Sequence, residues 1–203
     1  MNTNRSSLPF QIEPGLRPEH RTRAAQGYWQ AFSRKLRYPL GPETRAIAFI
    51  ERALDPTHAI SAVSSDGSFL GIAGYKSPKG AFVGGEFKDL VAVYGWLSAA
   101  FRGLLIGTLE RDCVPETLLM DGIFVQPEAR GQGVGKALLQ AIEARAVQSG
   151  LNRIRLDVIN TNPRARALYE REGFTAKSVT SLGPLSIVFG FSSATEMTKS
   201  VSV

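Results

Sequence analysis

The sequence predicts a mixed α/β fold: a mostly antiparallel central sheet flanked by helices. In the second half of the chain, strand-like apolar runs alternate with amphipathic helical runs, in the order strand, glycine-rich loop, helix, strand, helix, strand. The first half contains two helical patterns followed by a hairpin pattern. The chain has 203 residues, of which 43% are hydrophobic and 21% charged, which suits one domain with a substantial core. We therefore expect residues 1–203 to form a single domain.

The first half is expected to open with a loose tail (residues 1–9) and a short strand (residues 10–13). Two helices follow, and Pro39 is expected to end the first of them. The apolar side chains at helical spacing are Ala25, Tyr28, Trp29, Phe32 and Leu36 in the first helix, and Ala46, Ile47, Ile50 and Leu54 in the second. Asp66 and Gly67 then form a turn signal between two apolar runs, which predicts a β-hairpin.

Residues 84–115 predict an apolar helical insertion between the third and fourth strands. Within them, residues 90–109 (LVAVYGWLSAAFRGLLIGTL) reach the minimum length and apolarity of a membrane span. Arg102 in the middle of this run opposes a span, because a charge in the bilayer is costly. We expect two shorter buried helices, or one helix over a pocket, that cover a cleft or a dimer contact, with Arg102 facing polar groups. Membrane contact is the minor alternative.

From Thr117 onward the pattern is regular. TLLMDGIFV predicts a strand, QPEARGQGVG a tight loop, and the residues after it an amphipathic helix that ends near Gly150. RIRLDVI predicts the next strand, and NPRARALYEREG predicts a short helix with proline at its start and glycine just past its end. FTAKSV and LSIVFGFSSATEM are expected to be further β runs.

Composition narrows the function classes. The net charge is +6, but the basic residues are scattered rather than clustered, so no nucleic-acid partner is expected. Cys113 is the only cysteine, which excludes an intrachain disulfide. The two histidines, His20 and His58, lie far apart, and no cluster has metal-ligand spacing, so no metal is expected. The first fifteen residues lack a signal-peptide pattern, and we expect a cytoplasmic protein.

The loop ARGQGVGKALL places three glycines at alternate positions before a helix. A Walker loop would need glycine at Arg130 and Ser or Thr at Ala137, and a dinucleotide fingerprint would need glycine at Lys136. The form R-x-x-G-x-G, running from Arg130 through Gly133 and Gly135, does fit. Between a strand and a helix N-terminus, the amides of such a loop converge, and the helix dipole adds positive potential that suits a pyrophosphate.

The stretches MDGIFVQPEARGQGVGKALL and LDVINTNPRARALYEREGF together resemble the GNAT superfamily of N-acetyltransferases, whose acetyl-coenzyme A loop has the form Q/R-x-x-G-x-G/A. The resemblance covers residues 120–174, and the second stretch matches the family pattern at Asn162, Tyr169 and the Gly173-Phe174 pair. It implies the GNAT fold. Residues 84–115 depart from the family, which usually joins its third and fourth strands by a short turn.

The resemblance implies that acetyl-coenzyme A is the acyl donor. The backbone of Ile123, Phe124 and Val125 would pair with the pantetheine arm like an added strand. Asn162 would hold the cofactor near the thioester, unless it serves only as a helix N-cap. Lys136 would contact a phosphate or remain solvated. The implied pyrophosphate loop comprises Arg130, which would back the loop, and Gly131, Gln132, Gly133, Val134, Gly135 and Lys136.

The resemblance also implies direct attack of a neutral primary amine on the thioester, which needs a base for the amine and an acid for the leaving thiolate. Tyr169 resembles the family's acid, with a tyrosine packed in the core as the alternative. For the base, Asp157 ranks first and Asp121 second, acting directly or through water. Either carboxylate could instead pair with an arginine or recognise a cationic acceptor.

The predicted function is therefore transfer of an acetyl group from acetyl-coenzyme A to a primary amine. The acceptor is not identified by the sequence, and a homodimer is left open. The alternative is a non-catalytic acyl-coenzyme A-binding module, regulatory or associated with a membrane through residues 90–109.

Overall fold

The computed structural model describes residues 9–108 and 112–202, so the predicted tail, apart from Pro9, lies outside the described residues, as does Leu109. The strands are β1 (Phe10–Pro14), β2 (Ala59–Ser64), β3 (Phe69–Ser77), β4 (Gly80–Ala81), β5 (Thr117–Val125), β6 (Arg153–Ile159), β7 (Thr175–Ser181) and β8 (Ser193–Ser200). The helices are α1 (Arg21–Leu40), α2 (Glu43–Ala53), α3 (Phe87–Tyr94), α4 (Trp96–Gly107), α5 (Val134–Gln148), α6 (Pro163–Arg171) and α7 (Ser186–Phe189).

The sheet is mixed and mostly antiparallel, as the sequence predicts. Its strand order is β1-β2-β3-β5-β6-β8-β7, and β4 pairs with the end of β3. Among the described strands, each neighbouring pair is antiparallel except β5 and β6, which run parallel. A parallel pair needs a crossover connection, and α5 supplies it.

Helices cover both faces of the sheet. On one face, Leu138 and Ile142 of α5 lie in a core with Leu156 of β6. On the other face, α1 and α2 form a second core with α3 and α4. Because side chains alternate along a strand, neighbouring residues of β5 belong to different cores: Ile123 packs toward α5, and Phe124 packs toward α1.

The apolar segment forms two helices, α3 and α4, which meet at Gly95, where φ is +77°. α4 packs against α3 near Gly103, where a Cβ would lie in ordinary contact, 3.7 Å from a methyl carbon of Leu90. None of the helices in the described part of the chain has the length and apolarity needed to cross a bilayer.

Arg102 faces polar groups, as expected. Its Nε donates to Oγ of Ser98 at 2.9 Å, and its Nη1 donates to the carbonyl of Pro39 at 2.7 Å. The guanidinium also lies 4.2 Å from the ring centroid of Tyr94, and the Tyr94 hydroxyl donates to the carbonyl of Leu40. These contacts fasten the α3–α4 pair to the C-terminal end of α1.

Two expectations about apolar runs were wrong. α4 is not a buried helix, because it packs inward through Ala99 and Ile106 and leaves four large apolar side chains in solvent: Trp96, Leu97, Phe101 and Leu104. The run LSIVFG is helical rather than extended: Pro184 opens a helical turn that continues as α7, and Phe189 is buried there beside Phe191. The last strand therefore begins only at Ser193.

Two glycines allow α1 to lie directly on β5. A Cβ at Gly27 of α1 would lie 2.3 Å from the ring of Phe124, and a Cβ at Gly122 of β5 would lie 2.3 Å from the ring of Phe32. Each glycine thus makes room for an aromatic ring of the facing element. This close approach fixes the position of α1 over the centre of the sheet.

Replacement of Gly27 by alanine should destabilise the protein, although alanine favours a helix. The added methyl group overlaps the Phe124 ring, and overpacking of this kind costs about 1–3 kcal/mol. Each kcal/mol corresponds to a fall of roughly 2–4 °C in melting temperature for a chain of this size, measurable by thermal denaturation. Gly107→Ala is the matched control, because nothing lies within 4 Å of its Cβ position. An unchanged melting temperature in Gly27→Ala would contradict the close packing of α1 on β5.

Candidate functional site

β5 and β6 separate after a short paired segment. Residues 117–119 pair with residues 153–155, and Leu119 with Arg155 is the last pair. Beyond it, β6 continues its ladder with β8, and β5 continues its ladder with β3 as far as Val125. Within the described residues, the edge of β5 that faces β6 therefore has no strand partner past Leu119. An open edge of this kind can accept an extended chain as an added strand.

The three residues predicted to bind pantetheine lie on this open edge. Their side chains are already packed: the Phe124 ring is buried against α1, while Ile123 and Val125 pack toward α5. Only their backbone groups face the gap between the strands. The geometry therefore agrees with a backbone role rather than a side-chain role.

The glycine-rich loop joins the end of β5 to α5. Gly131 and Gly133 have φ values of +80° and +83°, in the left-handed region that favours glycine, and Gly133 caps α5. A Cβ at either position would meet no atom within 4 Å, so the surface above the loop is open. The first helical hydrogen bond runs from Ala137 to Gly133, which leaves the amides of Val134, Gly135 and Lys136 without helical partners. These amides and the helix dipole can hold an anion.

The remaining loop side chains brace the backbone. Nε of Arg130 donates to the carbonyl of Val125 at 3.2 Å, which ties the loop to the end of β5. Nε2 of Gln132 donates to the carbonyl of Glu128 at 2.8 Å. Lys136 is exposed on the first turn of α5. Arg130 thus lies behind the loop, and its role in holding a cofactor stays a prediction.

Asn162 and Tyr169 both belong to α6, which follows β6. Asn162 is the N-cap: its Oδ1 accepts a hydrogen bond from the Ala165 amide at 3.2 Å. The Tyr169 ring is buried, with its centroid 5.9 Å from that of Phe174. Burial raises the pKa of Tyr169 above its ordinary value, so the hydroxyl stays protonated at neutral pH. Both structural alternatives noted from the sequence are thus present: Asn162 caps α6, and Tyr169 packs in the core.

Asp121 occupies an irregularity in β5. Gly74 pairs with Gly122 but Tyr75 pairs with Met120, so Asp121 is the extra residue of a β-bulge. Its Oδ2 accepts a hydrogen bond from the Val83 amide at 3.3 Å. The bulge directs this carboxylate toward the face of the sheet that α1 covers.

The surroundings of Asp121 include residues that sequence reasoning did not select. Burial raises the pKa of Asp121, and the Val83 amide, Lys35 and Lys76 offset this only in part. The pKa of Tyr28 is raised well above its ordinary value, mainly because the side chain is buried and to a lesser extent because Asp121 is nearby. In the sequence, Tyr28 is only an apolar position on a helix, and no local signal identifies it as a neighbour of Asp121.

Asp157 lies across the gap on β6. Its Oδ2 is 3.5 Å from Nη2 of Arg155, and the same nitrogen is 3.2 Å from Oε2 of Glu196 on β8. Asp157 and Asp121 each follow the last β5–β6 pair by two residues, so both lie just beyond the point where pairing ends. The structure therefore brings the two predicted carboxylates to the point where the strands part.

A cleft of about 430 Å³ lies between α1, α2 and the end of β5. Its lining is largely polar and includes Arg23, Gln30, Ser33, Glu43, Phe124 and Gln126. Phe124 and Gln126 bring the cleft to the end of β5 on the face of the sheet that α1 covers. It offers a second approach to the site, separate from the glycine loop.

A hydrogen-bonded cluster lies at the end of β3. Nδ1 of His58 is 2.8 Å from Oδ2 of Asp55, and Nε2 is 2.9 Å from Oγ of Ser77. The Lys79 amide also donates to the Ser77 hydroxyl, and the cluster fastens the β3–β4 turn to the start of β2. Nowhere in residues 9–108 and 112–202 are three or more His, Cys, Asp or Glu side chains grouped so that they could hold a metal ion.

Comparison with curated proteins finds partial matches. Thialysine N-epsilon-acetyltransferase from Bos taurus is 36% identical over 56 residues, which are 28% of this chain and 33% of the relative. Mycothiol acetyltransferase from Beutenbergia cavernae is 46% identical over 59 residues, which are 27% of this chain and 18% of the relative. The chain thus spans a third or less of the length of these curated relatives.

Comparison with solved structures covers nearly the whole chain. An N-acetyltransferase from Staphylococcus aureus Mu50 is 14% identical with a TM-score of 0.67, covering 93% of this chain and 100% of the other. A GCN5-related N-acetyltransferase from Kribbella flavida is 18% identical with a TM-score of 0.63, covering 95% and 98%. At these identities the likeness shows the fold alone.

The family of this chain is shown by the match to a family model. The model of the acetyltransferase (GNAT) family matches residues 23–174, which contain the glycine loop, the gap between β5 and β6, and α6. Since the match extends over more than half of the sequence and agrees with the fold, the chain belongs to the acetyltransferase (GNAT) family.

Proposed function

We propose that this protein transfers the acetyl group of acetyl-coenzyme A to a primary amine. The observation that carries the proposal is the open edge of β5, which leads directly into a glycine loop at the N-terminus of α5. One extended ligand with a pyrophosphate at one end could use both features at once. Membership of the acetyltransferase family supports the same ligand.

In this proposal the backbone of residues 123–125 binds the pantetheine arm, because these groups face the gap while their side chains are packed elsewhere. The amides at the start of α5 bind the pyrophosphate, and Arg130 holds the loop against Val125. Asn162 keeps α6 capped beside the gap, with its side-chain amide near the thioester. Coenzyme A supplies the activated acyl group, and the chain positions it.

We propose Asp121 rather than Asp157 as the base. Asp157 lies beside the guanidinium of Arg155, an arrangement suited to holding charge. Asp121 is directed by a bulge, and burial raises its pKa toward the range useful for proton transfer near neutrality. The amine nitrogen would attack the carbonyl carbon, and its proton would pass to Asp121. The C–S bond would then break, and the thiolate would take a proton from the Tyr169 hydroxyl.

The acceptor is proposed to enter through the polar cleft between α1, α2 and the end of β5. The amide and hydroxyl side chains that line this cleft favour a hydrophilic amine over an apolar one. The test is to incubate the protein with acetyl-coenzyme A and a panel of amines, and to follow release of free thiol. Thialysine belongs in the panel, since a partial relative is named for it. Binding of acetyl-coenzyme A without thiol release for any amine would favour the non-catalytic alternative.

Gly133→Glu should abolish binding of coenzyme A. The new side chain would project into the open surface above the loop, and its negative charge would repel the pyrophosphate. Gly150→Glu is the matched control: Gly150 also has a positive φ with an open Cβ position, but lies past the other end of α5. Calorimetric titration should show loss of binding only in Gly133→Glu. Unchanged affinity in a folded Gly133→Glu variant would contradict the proposed cofactor site.

Asp121→Asn should lower turnover yet stabilise the fold. The base must be ionised, so wild-type turnover should rise with pH through the raised pKa of Asp121, and the variant should lose that rise. A pKa raised by folding means that stability falls as pH increases from the unfolded to the folded value. Asparagine removes this penalty at neutral pH and can still accept from the Val83 amide.

Turnover against pH and thermal melting at pH 7 measure the two effects of Asp121→Asn. Asp157→Asn is the comparison, because it weakens the contact with Arg155 and should give no gain in stability. If Asp121→Asn keeps the wild-type turnover and Asp157→Asn loses it, the base is Asp157 instead.

Tyr169→Phe should lower turnover roughly 10²-fold or more, the usual scale for loss of one proton-transfer group. The ring and its contact with Phe174 are kept, so melting temperature and coenzyme A affinity should change little. Steady-state kinetics together with calorimetry distinguish proton donation by the Tyr169 hydroxyl from packing of the Tyr169 ring. Near-normal turnover would show that the hydroxyl is not the acid and that Tyr169 serves only in packing.

A further inference from the structure

α4 exposes an apolar surface that neither the fold nor the proposed reaction uses. Trp96, Leu97, Phe101 and Leu104 are 65%, 80%, 64% and 71% exposed, and Phe87 of α3 is 49% exposed beside them. At 100° per residue, Leu97, Phe101 and Leu104 fall on one face of the helix. We call these five residues the α4 surface. Contiguous apolar patches of this kind usually mark an interaction site.

The α4 surface is held in place from behind. The polar side chains of α4, Ser98 and Arg102, bond to each other, and Arg102 also bonds to the carbonyl of Pro39. Tyr94, at the end of α3, donates to the carbonyl of Leu40. The helix therefore cannot turn its apolar face inward without breaking these bonds. The face therefore stays exposed unless a partner covers it.

The charge distribution argues for a second copy of this chain as that partner. With a net charge of +6, two copies repel each other through most surfaces. α4 carries no acidic residue, and its one basic residue is turned inward, so α4 itself adds no like-charge repulsion to a contact between two copies. Next to it, Lys88 is paired with Glu86 at 2.8 Å. Interface cores are likewise poor in charge and rich in aromatic residues.

A lipid surface fits less well. Helices that lie in the membrane interface carry lysine and arginine on their polar face, where anionic headgroups attract them. In α4 the polar face is occupied by contacts with α1, and Arg102 is not available to a headgroup. An apolar face alone would suit either a lipid surface or a second copy of the chain. Among its own described residues, α4 offers no basic side chain to a headgroup, which favours a second copy of the chain.

The area also suits a dimer. The aromatic side chains of the α4 surface each cover roughly 150–250 Å² when fully buried, and the leucines cover less. The exposed fractions of the α4 surface thus correspond to on the order of 600 Å² per copy, against about 800 Å² per partner in a standard interface. Ala100 is exposed between the large side chains, so two α4 helices can approach closely at this point.

We propose that the α4 surface is the interface of a two-fold homodimer in which α4 packs antiparallel against α4 of a second copy. In such an isologous contact the same residues of both copies form the interface, so the apolar face of one copy is buried against the identical face of the other. Ala100 lies near the two-fold axis, with Leu97 and Leu104 of opposite copies in contact. This interface is independent of the proposed reaction, because none of its residues lies at the gap between β5 and β6.

The test is the mass in solution, measured by sedimentation over a dilution series. The wild-type protein should have twice the chain mass of 22.0 kDa, and Leu97→Glu with Phe101→Glu should have the chain mass. Both side chains are exposed, so circular dichroism and melting temperature should be nearly unchanged. Ile187→Glu and Val179→Glu are matched controls: these residues are 82% and 66% exposed but lie on α7 and β7, and both variants should remain dimeric.

A second variant tests the geometry without disrupting the contact. In a Cys113→Ser background, Ala100→Cys should form a disulfide-linked dimer on mild oxidation, whereas Ser178→Cys on β7 should not. A monomeric wild-type protein, or a dimer unaffected by Leu97→Glu with Phe101→Glu, would overturn the proposal. So would a monomer whose α4 surface instead binds vesicles of phosphatidylcholine and phosphatidylserine.

Discussion

Backbone hydrogen bonding between β5 and β6 stops at Leu119 and Arg155, and the rest of the site depends on this separation. Past this point β5 remains bonded to β3 and β6 remains bonded to β8, each through the edge that faces away from the gap, so both strands stay in the sheet while their facing edges are open. Backbone groups shielded from water need partners, which makes the gap a natural place for the amides of an extended ligand. The glycine loop lies at the open end of the same strand. One structural feature thus determines both where a cofactor would lie and in which direction it would run.

The position of α1 is the second constraint. Gly27 and Gly122 let the helix and the strand share space with two aromatic rings, and no larger residue fits at either position without a shift. Close packing then places Tyr28 near Asp121 and lets Arg34 donate to the carbonyl of Thr161, ahead of α6. The partial burial that raises the pKa of Asp121 is costly for stability but useful for a base. Such local conflicts between stability and chemistry are typical of functional sites.

α1 also links the site to the α4 surface. Its middle part packs on β5, while its last carbonyls, from Pro39 and Leu40, accept hydrogen bonds from Arg102 and Tyr94. Contacts made by α4 therefore act on the same helix that covers the proposed base. In the dimer that we propose, the apolar helices support the junction of α1 and α2 from outside, while the reacting groups stay within one copy.

Local signals in the sequence were sufficient for the backbone of the site. The signals were glycines that require a positive φ, a proline at the first turn of α6, and regular apolar spacing. Each acts over only a few residues, so together they predicted the loop, α5, α6 and the strands between them. They also predicted the polar contacts of Arg102. Their failures were equally local: β-like composition in LSIVFG was overridden by the turn at Pro184 and the burial of Phe189.

What only the tertiary structure decided is the environment of each side chain. The bulge at Asp121 arises from the pairing of β5 with β3. Tyr28 lies near Asp121 because α1 packs on this face of the sheet. Arg155 reaches Glu196 because β6 and β8 are neighbours, and α4 exposes its apolar face because Arg102 is tied to α1. The physical reason is the same in each case. Burial, pKa and exposure depend on residues far apart in the chain, whereas sequence patterns report only what neighbouring residues impose on the backbone.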